Sequence, residues 1–209
     1  MTAAVTSAAA VTATRPWADF ATLLEYPGDA LPGALARVRA ACASGPGAAK
    51  LEVFAAFITS SEPHTVEELY TQSFDLSAPC CLDLGYQLFG ETYKRGAFLV
   101  NMVMAARKHE VDPGAELADH LPVVLRLLTR LGPGVEDDAL GLAHEVLLPG
   151  LDKMVASFVV HEDGQSSPYR ALLEALRSEL DAAFPGASPP ERTAVHLPLF
   201  RAANEEAQP

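Results

Sequence analysis

The stretch Glu116-Leu117-Ala118-Asp119-His120-Leu121-Pro122 sets an acid beside an imidazole at the head of an oily run. An aspartate that orients a histidine is the base half of a hydrolytic triad. Neighbours at a helix start point roughly 100° apart, however, so Asp119 and His120 make a poor direct dyad. The simpler reading is an N-cap aspartate worth about 1 kcal/mol, an ordinary first-turn histidine, and Pro122 where a missing N–H costs little. His144-Glu145 opens like the zinc-protease pattern H-E-x-x-H, but Leu148 stands where the second histidine belongs. No two histidines lie at i and i+4, so metal ligation is not expected. Cys80-Cys81 could hold a soft metal or sense oxidants, yet a vicinal disulfide is strained, and buried small hydrophobes are the favoured reading. No G-x-S-x-G elbow, G-x-G-x-x-G loop or Walker loop is present, which leaves enzymatic readings without a motif and no cofactor implied.

Composition narrows the partners. The 27 Asp and Glu against 15 Lys and Arg give a formal charge of −12, and no basic run could track phosphates, so nucleic acid is not expected. An acidic surface attracts basic segments, although solubility alone would account for it. No apolar run is long and uncharged enough to cross a membrane, and the Ala/Thr-rich start lacks the basic region of a secretory signal. Three cysteines without C-x-x-C spacing suit neither a disulfide framework nor zinc, and a reducing cytoplasm is the simplest location.

The elements that must position these residues are helices, because apolar residues recur at helical spacing almost everywhere and alternating runs are scarce. The fold class is all-α, a single helical domain over 16–184 between a disordered lead-in (1–15) and a flexible tail (185–209), with a monomer or weak homodimer expected. The first helix is expected over Trp17 to Tyr26, the second on Leu31, Leu35, Val38 and Cys42, and the third on Leu51, Phe54 and Ile58. Thr65 and Glu68 have the spacing of a capping box for a fourth, carrying Val66, Leu69, Tyr70 and Phe74 before a turn at 75–79. Cys80 to Phe89 is nearly all apolar and reads as a buried helix at the centre of the core. A helix over Thr92 to His109 follows, with Leu99, Met102, Val103 and Ala106 inward. The next helix, after Asp119, buries Leu121, Val124, Leu125 and Leu128, and residues 138–160 form a long helix kinked or split at Pro149-Gly150. Ser167-Pro168 caps a final helix burying Leu172, Leu173, Leu176 and Leu180, with Phe184 as a further candidate.

Several blocks together resemble one family. "FATLLEYPGDAL" (20–31) is similar to an opening helix ending in a Tyr-Pro turn, and "EELYTQSFDLS" (67–77) to a helix closing in Tyr/Phe-x-x-x-Phe-Asp. "GETYKRG" (90–96) and the later "ELADHLPVVLRLL" (116–128) are similar to a Gly-Glu-x-x-x-Arg-Gly block followed by Glu-Leu-Pro-Asp-His-Leu-Pro, with Ala118 in place of the first proline. In this order and spacing they resemble the cytoplasmic maturation chaperones of molybdenum enzymes, the nitrate reductase delta subunit (NarJ) and TorD/DmsD family.

The resemblance implies a non-catalytic helical bundle of the TorD-like chaperone type. It would bind the N-terminal, leader-like segment of an apo molybdoenzyme catalytic subunit, nitrate reductase-like by first choice, and support molybdenum cofactor insertion and complex assembly. Carried over by position, Glu116, Asp119, His120, Leu121 and Pro122 are the peptide-binding candidates, with Gly90, Glu91, Arg95 and Gly96 as a second block. Tyr70, Phe74, Tyr86, Phe89 and Leu121 fit the floor of a groove for an amphipathic peptide, and equally fit ordinary core. Arg95 has a structural alternative, pairing with Glu91 at i and i+4. Two readings from other classes remain: a small enzyme or nucleotide-dependent factor acting through His120, and a helical scaffold subunit retained in the mature complex.

Overall fold

The computed structural model describes residues 15–75, 80–131, 136–160 and 166–186. The expected lead-in up to residue 14, most of the turn at 75–79 and the tail from 187 onward lie outside the described residues. The described residues form α1 (Trp17–Leu23), α2 (Leu31–Ala41), α3 (Ala48–Ser60), α4 (Pro63–Phe74), α5 (Leu84–Phe89), α6 (Tyr93–Lys108), α7 (Leu121–Arg130), α8 (Glu136–Leu142), a π-helical turn at Ala143–Leu147, α9 (Leu148–Ser157) and α10 (Pro168–Ala183). Two isolated bridges, Asp83 with His120 and Val160 with Ser166, are the extended pairings among them. The all-α class holds.

The centre of the core is α7, not the Cys80–Phe89 segment. Leu121, Pro122, Val123, Val124, Leu125, Leu127 and Leu128 are all buried on α7, which packs against α1. A helix apolar nearly all round is stable only where neighbours cover every side. In the other segment only Leu84–Phe89 is helical and Tyr86 is 42% exposed, because residues 81–83 run extended to pair with the chain at 119–121.

Several expected boundaries shift for local reasons. α1 stops at Leu23, and Leu24 N–H and Glu25 N–H reach back only three residues, to Ala21 and Thr22. Pro27 disfavours helical backbone at Tyr26, so the helix unwinds early. The Thr65–Glu68 capping box does not form: α4 begins at Pro63, whose ring suits the first helical position, and Thr65 already lies inside the helix. On α6 the inward stripe is Phe98, Asn101, Met102, Ala105 and Ala106, leaving Leu99 and Val103 half-buried. The helix is not split at Pro149-Gly150 but runs on from α8 through the π-helical turn into α9, and the irregularity lies one turn earlier. Leu148 N–H bonds to Ala143 C=O five residues back, a π-turn that widens the helix ahead of a proline lacking the N–H the α ladder requires.

The N- and C-terminal helices meet. Trp17 stacks on Phe20 and Phe184, and the buried Glu179 carboxylate accepts from Arg15 Nη1 at 2.6 Å and from Gly47 N–H at 2.9 Å. The Ser167 hydroxyl caps α10 through Tyr169 N–H, as its Ser-Pro start implies.

Candidate functional site

Asp119 does not cap its own helix. The N-cap of α7 is His120, whose side chain makes no capping bond, and Asp119 serves α5 instead. Its backbone carbonyl accepts from Leu84 N–H at 2.9 Å and its carboxylate Oδ2 from Gly85 N–H at 3.0 Å, satisfying two of the unpaired donors at the start of α5. Leu121 N–H returns a bond to Leu82 C=O at 2.9 Å, which closes the bridge. Residue 85 must be glycine: a Cβ there would lie 2.5 Å from Asp119 Oδ2 and 2.9 Å from the Phe98 ring. Asp119 is fully buried and its Oδ1 has no hydrogen-bond partner among the described residues. Burial first, and the charge of Asp83 second, raise its pKa, with the Gly85 bond pulling the other way.

The same bridge aims Asp83 and His120 at one another. His120 Nδ1 lies 3.4 Å from Asp83 Oδ1 and 3.7 Å from Glu116 Oε2, while Arg95 Nη2 donates to Asp83 Oδ2 at 3.2 Å. The His120 hydrogen bond and charge, with Arg95, hold Asp83 below the usual carboxylate range against the opposing effect of burial. Arg95 also lies over the Tyr86 ring, 5.4 Å from its centroid, and this arrangement replaces the expected pairing with Glu91.

This corner forms one wall of a groove of ≈ 690 Å³. Part of the lining is aromatic: Tyr26, which is 58% exposed, meets Tyr70 edge to face at 5.5 Å, and Tyr70 meets Phe74 at 5.2 Å. Both Tyr70 and Phe74 rest on the buried Tyr169 ring. The Tyr70 hydroxyl donates to Leu24 C=O, and burial together with nearby Glu116, Glu25 and Asp75 pushes its pKa up to about 12. The ionic lining is lopsided, with Glu25, Asp75, Asp83 and Glu116 against Arg126, which pairs with Glu25. Among the described residues Asp75 has no ion-pair partner, and Glu116, with a side chain 61% exposed, faces His120.

Of the residues singled out from sequence, Tyr70, Phe74, Glu116, His120 and Pro122 line this groove. Asp119 and Leu121, the other two candidates of that block, are fully buried outside the lining, Asp119 bonded to the start of α5 and Leu121 in the core. Arg95 stands behind Asp83. Tyr86, Phe89, Gly90, Glu91 and Gly96 lie outside the lining; Phe89 packs on Phe98, and Gly90 supplies the positive φ (58°) of the turn into α6. Sequence reasoning missed Glu25, Tyr26, Asp83 and Arg126. The first two were signalled by the Tyr-Pro turn, which is where the helix releases them, and Asp83 by its polarity within an apolar run.

Cys80 and Cys42 are buried free thiols with pKa values pushed up to about 12 and about 11, first by burial, as expected of small hydrophobes. Cys81, half-buried at the groove, is also shifted upward by burial. No cluster of His, Cys, Asp and Glu that could hold a metal occurs among the described residues, and none of their helices is long and apolar enough to cross a membrane. Compared with known proteins, the chain matches no family model and no curated sequence.

Proposed function

We propose that this protein is a system-specific chaperone of the molybdoenzyme-maturation type. It acts in the cytoplasm by binding the N-terminal segment of an apo catalytic subunit, nitrate reductase-like by first choice, and supports cofactor insertion and assembly. The observation that carries the reading is convergence. Glu25-Tyr26, Tyr70-Phe74-Asp75 and Glu116-His120-Pro122 come from three separate blocks of the resemblance, and all line one groove. The groove pairs an aromatic lining with an excess of carboxylates, which suits a peptide apolar along one helical face and basic at one end.

A synthetic peptide spanning the first residues of a candidate molybdoenzyme catalytic subunit, titrated calorimetrically into the full chain, tests this. Binding should weaken by about tenfold or more in Glu116→Ala/His120→Ala, on the scale of interface hot spots, while far-UV circular dichroism stays unchanged. Equal affinity in the double variant would remove the groove from the reading. Failure of every such peptide to bind would overturn the function.

A further inference from the structure

The outer face of α6 carries an exposed apolar stripe that the groove does not use. Tyr93 is 85%, Val100 59% and Met104 43% exposed, with exposed Gly96 and Ala97 and half-buried Val103 between them. None of these residues lines the groove. Tyr93, Val100 and Arg107 recur every seven residues, flanked by Gly96 and Val103 on one side and Ala97 and Met104 on the other, which is the layout of a helix seam that crosses a partner helix at a shallow angle.

Nothing among the described residues of one copy requires a glycine at position 96. Gly96 lies inside α6 without a positive φ, and a Cβ there would meet nothing within 4 Å. A glycine inside a helix costs stability relative to alanine, and it serves where another chain approaches closely. Arg107, at the far end of the stripe, is exposed and has no ion pair among the described residues.

We propose that this face is a self-association surface on which a second copy of the chain packs antiparallel, with the two-fold axis beside Val100. The occupant follows from the stripe's complementarity to itself. Reversed about Val100, the seam places Val100 against Val100, Arg107 against the ring of Tyr93, Gly96 against Val103 and Ala97 against Met104. A cation thus meets an aromatic face, and each small residue meets a large one. α6 has 16 residues and is about 24 Å long, so a single helix pair buries less than the roughly 800 Å² per partner of a standard stable interface. The dimer is therefore weak and concentration-dependent. Both copies carry a charge of −12, so added salt strengthens it by screening their repulsion. The inference does not rest on the chaperone reading.

Sedimentation velocity on the full chain, from about 1 to 500 µM, tests it across the affinity range of a small interface. The wild-type mass should climb from 22.2 kDa toward twice that value. Val100→Glu, which sets two carboxylates against each other on the axis, should remain monomeric throughout with unchanged helicity. Gly96→Ala should raise Tm by about 2–4 °C through helix propensity while weakening association about fivefold or more. Association unchanged in either variant, or a wild-type chain monomeric at the highest concentration, would overturn the proposal. So would a monomeric wild type that binds phosphatidylserine/phosphatidylcholine vesicles through Val100, which would assign the face to a lipid surface.

Discussion

Asp119 is held by a balance that a single substitution can read. Its carboxylate receives Gly85 N–H on one oxygen while the other is buried without a partner, and Asp83 stands nearby. Asp119→Ala should cost about 1–3 kcal/mol, because Gly85 N–H would be left buried and unpaired. Asp119→Asn keeps an acceptor and sheds the charge. Since the folded pKa of Asp119 is raised, its contribution is fully present below the unfolded value of about 3.9 and is lost as pH rises through the folded value. Asp119→Asn should therefore gain on the wild type between about pH 4 and pH 7. Urea midpoints at the two pH values check this, and a difference between variant and wild type that does not change with pH would contradict it. Asp83, with a lowered pKa, runs the opposite way: its contribution is full above about pH 4 and is lost as pH falls through its folded value.

Among the helices, the approach of α3 to α10 depends on what residue 47 lacks. A Cβ on Gly47 would lie 2.6 Å from the carbonyl oxygen of Ala175, a backbone atom that cannot swing aside, whereas one on Gly28 would meet nothing within 4 Å. Gly47 has φ −84°, so alanine is conformationally acceptable and only packing is tested. Gly47→Ala should destabilise by about 1–3 kcal/mol, the range of overpacking, and Gly28→Ala by much less, as thermal unfolding of the two variants would show. Helix existence was legible from periodicity because one apolar stripe per helix suffices to bury a face. The start of α7 at Leu121 rather than His120 was not, because it follows from backbone pairing with residues 82–84, remote in the chain.

At the scale of the molecule, charge separates the groove from the α6 face. The groove combines four carboxylates with Arg126, and the whole chain carries −12. Binding of a basic peptide there should weaken severalfold when salt is raised from about 50 to 300 mM, as the Debye length shrinks from roughly 14 to 6 Å. An uncharged peptide of the same apolar pattern should respond little. Calorimetry at the two salt concentrations separates ionic from purely apolar recognition, and the opposite salt response of self-association distinguishes the two surfaces.

The sequence by itself determined the helical class, the acidic balance, most of the inward residues and the Ser167 cap, since these depend on spacing, composition and neighbours a few residues apart. It also marked Tyr70, Phe74, Glu116, His120 and Pro122. Only the tertiary structure decided that Asp119 caps a helix beginning some 35 residues earlier, that Arg95 turns to Asp83 rather than Glu91, and that Glu25 and Tyr26 line the same groove as His120. The physical reason is the same in each case. A buried donor or a charge takes the partner that packing brings within reach, and separation along the chain does not disclose which partner that will be.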